Sequence, residues 1–407
     1  MRLKELFELR NGYTPSKAVA EFWDGGTIPW FRMEDIRTNG RILSDSIQHI
    51  TPEAVKTAGL FDANSFIMAT TATIGEHAWL IADSLANQQF TNLKVRKSLI
   101  KRVALKYIFY LLFPIGESCK KNCRITTFPA VDMNEFKNYS FSLPPLAEQE
   151  AIAAYLDKEC EKIGREIELL ERKADSYRRL RRSLINRAVT RGLDPTMPTK
   201  PSGNDWLGDI PEHWSFERTE RYFHSNTKIN KDFELHKAFK FLMGTIVPKE
   251  ENRDAEEYRD VYEKYNIVEK NDIIINGLNL NYDLKSMRVG IVPYKGIITS
   301  AYIVLRPYED VNALYFNYLF KALDCRKIFH GMGKGVRLTL SFNELRTFEI
   351  PIPPKTEQEE IVYYLDEKCG KIDIIIEKIE TKIERLKQLK RSLINEVVTG
   401  QRAINTL

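Results

Sequence analysis

A chain of 407 residues with 43% hydrophobic side chains is long enough for two or three domains with cores of their own. Its net charge of +5 favours a polyanionic partner only mildly. No apolar run reaches membrane-spanning length, and an odd set of five cysteines with no signal peptide points to reduced thiols in a cytoplasm.

Residues 1–141 read as a first module. Leu3–Arg10 suits a helix or a strand entering the turn Asn11-Gly12-Tyr13-Thr14-Pro15-Ser16. Strands are expected at Ile28–Arg32, Ser65–Thr71 and His77–Ile81, the last two joined across Thr73-Ile74-Gly75. Val103–Phe113 has helical spacing. Short strands with one or two helices indicate an α+β module.

Residues 142–192 hold a long helix. Leu156, Cys160, Ile163, Ile167 and Leu170 alternate steps of four and three, the a/d seam of a coiled coil. Pro144-Pro145 forbids helix just upstream, and Gly192 stands where a left-handed C-cap is expected. Residues 193–213 form a linker or strap rich in Pro and Gly. Its Trp206, Leu207 and Ile210, with Trp214 just beyond, imply that it packs on something.

Residues 214–350 repeat the order of the first module. Strands are expected at Asp272–Asn276, Val289–Val292 and Ala301–Leu305, and a helix at Leu314–Phe329. Residues 351–400 then repeat the long helix, with seam positions Leu365, Cys369, Ile372, Ile376 and Ile379, and 401–407 form a tail. The two helices align without a gap from Leu143–Thr190 to Ile352–Thr399. The offset is 209 at Glu148/Glu357, Cys160/Cys369 and Ser183/Ser392 alike (357 − 148, 369 − 160, 392 − 183). Arg181 and Lys390 interrupt the seam at one equivalent site. Each helix would measure roughly 60 Å.

Two equal stripes on one chain can satisfy each other. The alternatives are a stripe packed on its own globular module, or a zipper between two copies of the chain. An antiparallel pair centred near residues 168 and 377 makes facing residues sum to about 545, which sets Cys160 near Arg385. In that case the two seam cysteines lie roughly 24 Å apart along the rod and no disulfide joins them, whereas a parallel pairing would set them side by side.

Enzymatic motifs are missing from the sequence. Gly331-Met332-Gly333-Lys334-Gly335 has the wrong spacing for a phosphate loop. No amino-methyltransferase motif and no Gly-rich methyl-donor loop is found, the six histidines form no metal motif, and Cys119 and Cys123 lack a second pair at zinc-ligand spacing.

Two variable modules, each followed by a long helix opening P-P-x-x-E-Q and closing R-S-L-I-N-x-x-V-T, resemble the specificity subunit of a type I restriction-modification system. Asp205–Trp214 (DWLGDIPEHW), Arg288–Val292 and Thr73–Gly75 share the resemblance, although the first module has no counterpart of the DWLGDIPEHW stretch. The resemblance implies an α+β fold with two globular target recognition domains. Two long helices would join them in an antiparallel coiled coil with pseudo-two-fold symmetry. It implies a non-catalytic, sequence-specific subunit for double-stranded DNA. Each domain would read one half of a bipartite site, and the coiled coil would set the spacer. The implied partners are two modification subunits, which bind S-adenosylmethionine and methylate adenine, and restriction subunits, which use ATP and Mg. No cofactor is expected on this chain.

Under that reading the candidate DNA contacts in the first module are Lys17, Arg32, Thr71, Thr73, Gln88 and Gln89. Those in the second are Asn276, Asn279, Asn281, Lys285, Arg288, Lys334 and Arg337. These are polar or basic residues at turns and strand ends. Gln pairs with adenine and Arg with guanine through two atoms each. Trp30 and Phe31 fit a core better. The basic run Arg178–Arg182 suits the helix dipole, spacer phosphates or an acidic partner surface. Two other classes remain open: a coiled-coil adaptor with two protein-binding modules, and a solitary DNA-modifying enzyme. A neighbouring gene for an adenine methyltransferase separates the first from a specificity subunit, and the missing motifs oppose the second.

Overall fold

The computed structural model describes residues 1–123, 129–204, 207–242, 244–281 and 287–404. The fold is mixed helix and sheet and divides into two compact units. One comprises Met1–Glu171 with Thr381–Leu407, the other Arg172–Glu380. The division runs through both long helices, Leu146–Arg191 and Lys355–Val398.

In the first unit, Leu3–Arg10 supplies both options left open by its sequence, a short helix (Leu3–Leu6) followed by a strand (Phe7–Asn11). A five-stranded sheet has the order Phe7–Asn11, Phe90–Val95, Ser65–Ala69, His77–Leu80, Ile42–Leu43. All neighbours are antiparallel except the last pair. A smaller sheet has Ile28–Phe31 between His49–Ile50 and Leu85–Ala86. Trp30 and Phe31 are buried in its core. The helix Leu105–Lys121 packs on the larger sheet, and its apolar face closes the core.

The second unit repeats this plan with little sequence in common. Its four-stranded antiparallel sheet runs Phe223–Ser225, Ile303–Pro307, Ile273–Ile275, Val289–Ile291. That order matches the first four strands of the first sheet, taken in the same sequence order. Helix Ala313–Cys325 takes the place of Leu105–Lys121. Phe239–Leu242 and Thr245–Pro248 add a hairpin with no counterpart in that match.

Residues shared by the two helix copies explain how each unit is held together. Gln149 is fully buried. Its Nε2 donates to Arg102 O (3.0 Å) and Pro144 O (2.8 Å), and its Oε1 accepts from Ala104 N (2.9 Å). Gln358 Nε2 likewise donates to Pro353 O (3.0 Å). The Gln of P-P-x-x-E-Q therefore clamps the backbone that leads into the helix, satisfying carbonyls that proline has displaced from regular structure. Tyr110 donates its hydroxyl to Asp157 (2.8 Å) and Tyr318 to Asp366 (2.7 Å), tying each globular helix to its long helix. In the second unit Glu357 accepts from Trp214 Nε1 (3.0 Å) and pairs with His213 (2.7 Å), which anchors the strap. Leu207, Ile210 and Trp214 are buried there, while Asp205 and Trp206 lie outside the described residues. The second helix begins at Lys355, where the Gln358 amide donates to Pro354 O (3.0 Å). Gly192 and Gly400 end the helices with φ of +72° and +75°, the left-handed conformation glycine adopts without strain.

Within each unit the two helices run antiparallel. In the first, Glu166 pairs with Lys382 (2.7 Å), and Ile152–Ile163 share a core with Leu393–Val398. In the second, Arg181 pairs with Asp373 (3.1 Å), and Ile185–Val189 share a core with Ile361–Cys369. The helix segments thus pack both on each other and on their own globular part. Leu156, Cys160, Ile163, Leu365, Cys369, Ile372 and Ile379 are buried, and Ile167, Leu170 and Ile376 are half-buried. Cys160 faces Lys390 rather than Arg385, a register five residues beyond the expected one (160 + 390 = 550 against 545). Cys369 faces Arg181 at the same sum. The two basic residues that interrupt the seam therefore each oppose a small thiol, which leaves room for a long side chain to reach outward. Both cysteines are free.

His77 is buried between the rings of Phe109 and Phe113. Burial first, and the Arg41 cation second, lower its pKa from 6.5 to about 3. The unfolded chain therefore binds a proton near pH 6.5 that the folded unit refuses. Stability is expected to be fully present above pH 6.5 and to fall by about 1.4 kcal/mol per pH unit between there and pH 3. Denaturant titrations across this range, on the native chain and on His77→Phe, check it. The variant should lose that part of the slope; an unchanged slope contradicts the assignment.

Candidate nucleic-acid interface

Antiparallel pairing decides which loops of the first unit meet. Asn11 pairs with Thr91, Ala69 with Phe90, and Met68 with His77. The loops 12–17, 70–76 and 87–89 consequently leave the sheet at one end. Arg32 joins them, because Phe31 O accepts from Asn87 N (3.0 Å). All six first-module candidates lie on this set of segments.

Their side chains differ in what they are free to do. Lys17 and Gln88 are exposed. Gln88 Oε1 accepts from the Thr14 hydroxyl, which orients its amide. Gln89, Thr71 and Thr73 are half-buried. The Gln89 carbonyl accepts from Thr70 N (2.9 Å), joining the second loop to the third. Arg32 is half-buried, lies over the Trp30 ring and pairs with Glu34 (3.0 Å). Gly75 has φ +81°, and a Cβ there would sit 2.3 Å from Gly116 O. The Thr73-Ile74-Gly75 turn is thus pinned by close approach of the helix Leu105–Lys121.

The same logic applies in the second unit. Ser225 pairs with Leu305 and Ile275 with both Ile303 and Val289. The segments 226–230, 276–281, 287–288 and 299–302 share one end of that sheet. A further loop, 333–340, docks on them. Leu280 N donates to Leu338 O (3.2 Å), Leu340 N to Gly277 O (2.9 Å), and Asn281 Nδ2 to Val336 O (3.2 Å).

Here the structure redistributes the roles expected from sequence. Arg288 is only 2% exposed. Its guanidinium donates to the carbonyls of Asn276 (3.1 Å) and Leu278 (2.8 Å), and its amide donates to Asp324 (2.6 Å). Direct contact with a base is closed to Arg288; it positions the loop. Its placement beside a strand disguised this, since a surface strand end and a buried one look alike in sequence. Asn276 is half-buried and turns its Oδ1 back to Leu278 N (3.2 Å), an Asx turn. Asn279 is exposed, with φ +51°. Asn281 is exposed but ties two loops together. Lys334 pairs with Glu344 (3.1 Å), whose carboxyl the Ser341 hydroxyl first, with Lys334 assisting, lowers to about 2. Arg337 is exposed and, among the described residues, pairs with no carboxylate. Lys285 lies outside the described residues.

Three exposed residues at this end were missed in the sequence. Val336 is 93% exposed between Lys334 and Arg337. Lys228 and Ser300 sit on segments equivalent by topology to 12–17 and 87–89. Loop lengths differ between the units, so the equivalence is visible only through strand order.

Both units match the family model described as type I restriction modification DNA specificity domain, over residues 1–172 and 223–385. The chain belongs to this family. Relatives include the specificity subunits of the type I restriction enzymes EcoprrI and EcoR124I/EcoR124II of Escherichia coli. The first is 47% identical over 163 residues (38% of this chain, 41% of the relative), the second 30% over 192 residues (44% and 46%). The chain thus spans less than half the length of these two. The MjaIX specificity subunit of Methanocaldococcus jannaschii is 24% identical along 100% of this chain and 94% of the relative. A solved structure concerning complex assembly and conformational transition of the type I R-M system contains a chain with the same fold. Its TM-score is 0.69 at 16% identity, with 99% and 97% of the two chains covered. Among the described residues no helix is long and apolar enough to cross a membrane, and no group of His, Cys, Asp or Glu is placed to hold a metal.

Proposed function

We propose that this family member is the DNA-reading subunit of a type I restriction-modification complex, with each unit reading one half of a bipartite site. The observation that supports this best is the duplicated plan. One strand order and one helix are built twice, while the loops at the sheet end differ between copies. Constant parts suit a shared task and variable loops suit two different half-sites. The loops present Lys, Arg, Asn and Gln, side chains that hydrogen-bond base edges in the major groove. Residues 1–141 and 214–350 are assigned as the recognition domains, 142–192 and 351–400 as the spacer helices, 193–213 as the strap and 401–407 as a tail.

A fixed spacer matters because equivalent groove faces recur every ~34–36 Å along DNA. Continuous helices without a break can hold such a gap. Leu180 and Leu389 occupy equivalent helix positions and are 46% and 52% exposed. A single exposed leucine on each copy is no apolar patch, but two equivalent helix faces on one chain suit docking of two copies of one partner. We assign these partners as two modification subunits, which bring S-adenosylmethionine, with restriction subunits bringing ATP and Mg. The chain itself is non-catalytic and cytoplasmic in this reading.

The purified chain, with or without S-adenosylmethionine and ATP, is expected neither to methylate nor to cleave DNA. Mixed with its methylating partner, it should direct adenine methylation to one bipartite sequence. Tritium transfer from labelled S-adenosylmethionine reads both arms. Robust methylation by the isolated chain contradicts the proposal.

A further inference from the structure

The basic run Arg178–Arg182 finds a setting that its sequence did not disclose. In the second unit, Arg178, Arg181 and Arg182 line a cleft of about 390 Å³ together with Lys321, Asp373 and Thr245. The cleft lies where both long helices meet helix Ala313–Cys325 and the Phe239–Pro248 hairpin. The charges in it do not cancel. Arg178 pairs with Asp175 (2.6 Å) and with Glu380, and Arg181 pairs with Asp373 (3.1 Å). Among the described residues Arg182 and Lys321 form no ion pair; Asp373, already paired with Arg181, acts on Lys321 only as a nearby charge. Lys321 is half-buried, and burial first, with Arg181 second, holds its ammonium below the ordinary range.

A structural role for this cluster in the helix pair itself would recur in the other copy. It does not. The helix positions are repeated as Lys387, Lys390 and Arg391, but Asp373 corresponds to Gly164 (373 − 209) and, by the Tyr110/Tyr318 match of the globular helices, Lys321 to Phe113 (321 − 208). Phe113 is an uncharged ring packed on His77 at the edge of the first core. The second unit alone places an ammonium against the arginine row, at the cost of desolvating it. An ion with at least one negative charge and several acceptor oxygens would compensate both orphan cations.

We propose that this cleft is a phosphate site, with Arg182 and Lys321 supplying the uncompensated charge and Arg181 held in place by Asp373. The phosphate belongs either to a DNA backbone, which rests on the DNA-reading function above, or to a free phosphate-bearing molecule, which does not.

The test uses the full chain and inorganic phosphate, followed by phosphorus NMR line broadening at constant ionic strength. Arg182 is exposed, so Arg182→Gln leaves the fold intact; Lys321→Met exchanges the half-buried ammonium for an apolar chain of similar length. Each change should weaken phosphate binding about tenfold or more, as loss of a charge-assisted hydrogen bond does. Lys321→Arg should keep most of it, and Lys97→Gln with Lys101→Gln, exposed cations of the first unit, should change nothing. Equal phosphate binding by native chain, Arg182→Gln and Lys321→Met overturns the site, as does equal weakening by the Lys97/Lys101 control. A duplex with neutral methylphosphonate linkages across the spacer separates the sources. Weaker binding by the native chain, absent in a variant carrying both Arg182→Gln and Lys321→Met, assigns the site to DNA. Unchanged binding assigns it to a free phosphate. If the chain bound no DNA at all, the function proposed above would fall while the phosphate arm still decided the site.

Discussion

Exchanging residues 1–141 for the corresponding module of another family member is expected to change one half of the methylated sequence completely and leave the other half as it was. The loops 12–17, 70–76 and 87–89 all belong to the exchanged segment, and none of their described hydrogen bonds reaches the second unit. The residues that hold the module on its helix are Tyr110, Asp157 and Gln149. Tyr318, Asp366 and Gln358 repeat them in the other copy, so a foreign module carrying the same tyrosine should seat correctly. Adding one heptad to each long helix should lengthen the spacer and leave both halves readable, because heptads preserve the seam. Methylation mapping of the chimera with the native methylating partner gives the answer. A change in both halves defeats the modular account.

Arg288→Ala is expected to produce the largest loss of stability from a single substitution, about 3–5 kcal/mol in the second unit. The side chain is buried, and its guanidinium serves the carbonyls of Asn276 and Leu278 from one planar fork. Alanine leaves those carbonyls without donors and Asp324 with a cation fewer nearby. Arg288→Lys should not rescue it, because a single ammonium lacks the fork geometry. Loosening 276–281 also releases 333–340, which it holds through Leu280, Gly277 and Asn281. Recognition of the second half-site should therefore fall while the first is untouched. Urea denaturation and half-site competition measure the two effects. Native-like stability in Arg288→Ala would show that the loop keeps its shape without this residue.

The long helices were legible because a/d spacing repeats over many turns, and the repeat at 209 fixed their equivalence. Antiparallel packing was implied by the family resemblance and not by the repeat itself, and the register was implied by neither. Taking facing residues about the apparent midpoints placed Cys160 five residues from its observed neighbour Lys390. The small thiol opposite each interrupting basic residue is the detail that sets the register, and it is invisible until the helices are paired. Strand order was illegible, since strands of three to six residues differ too little to rank as neighbours. Candidate contacts chosen by polarity were sorted only by burial. Lys17, Gln88, Asn279 and Arg337 face solvent, whereas Arg288 and Asn276 shape the loop from within. Val336 escaped because an apolar residue gives no sequence sign of standing in water.

The central claim is that this chain alone decides which DNA sequence its partners modify. The most direct measurement is a genome-wide map of methylated adenine in the host, with and without the gene for this chain. One bipartite motif, two short specified halves around a gap of fixed length, is expected to be fully methylated in its presence and unmethylated in its absence. Persistence of every methylated motif after deletion, or loss of a motif with no gap, would contradict it.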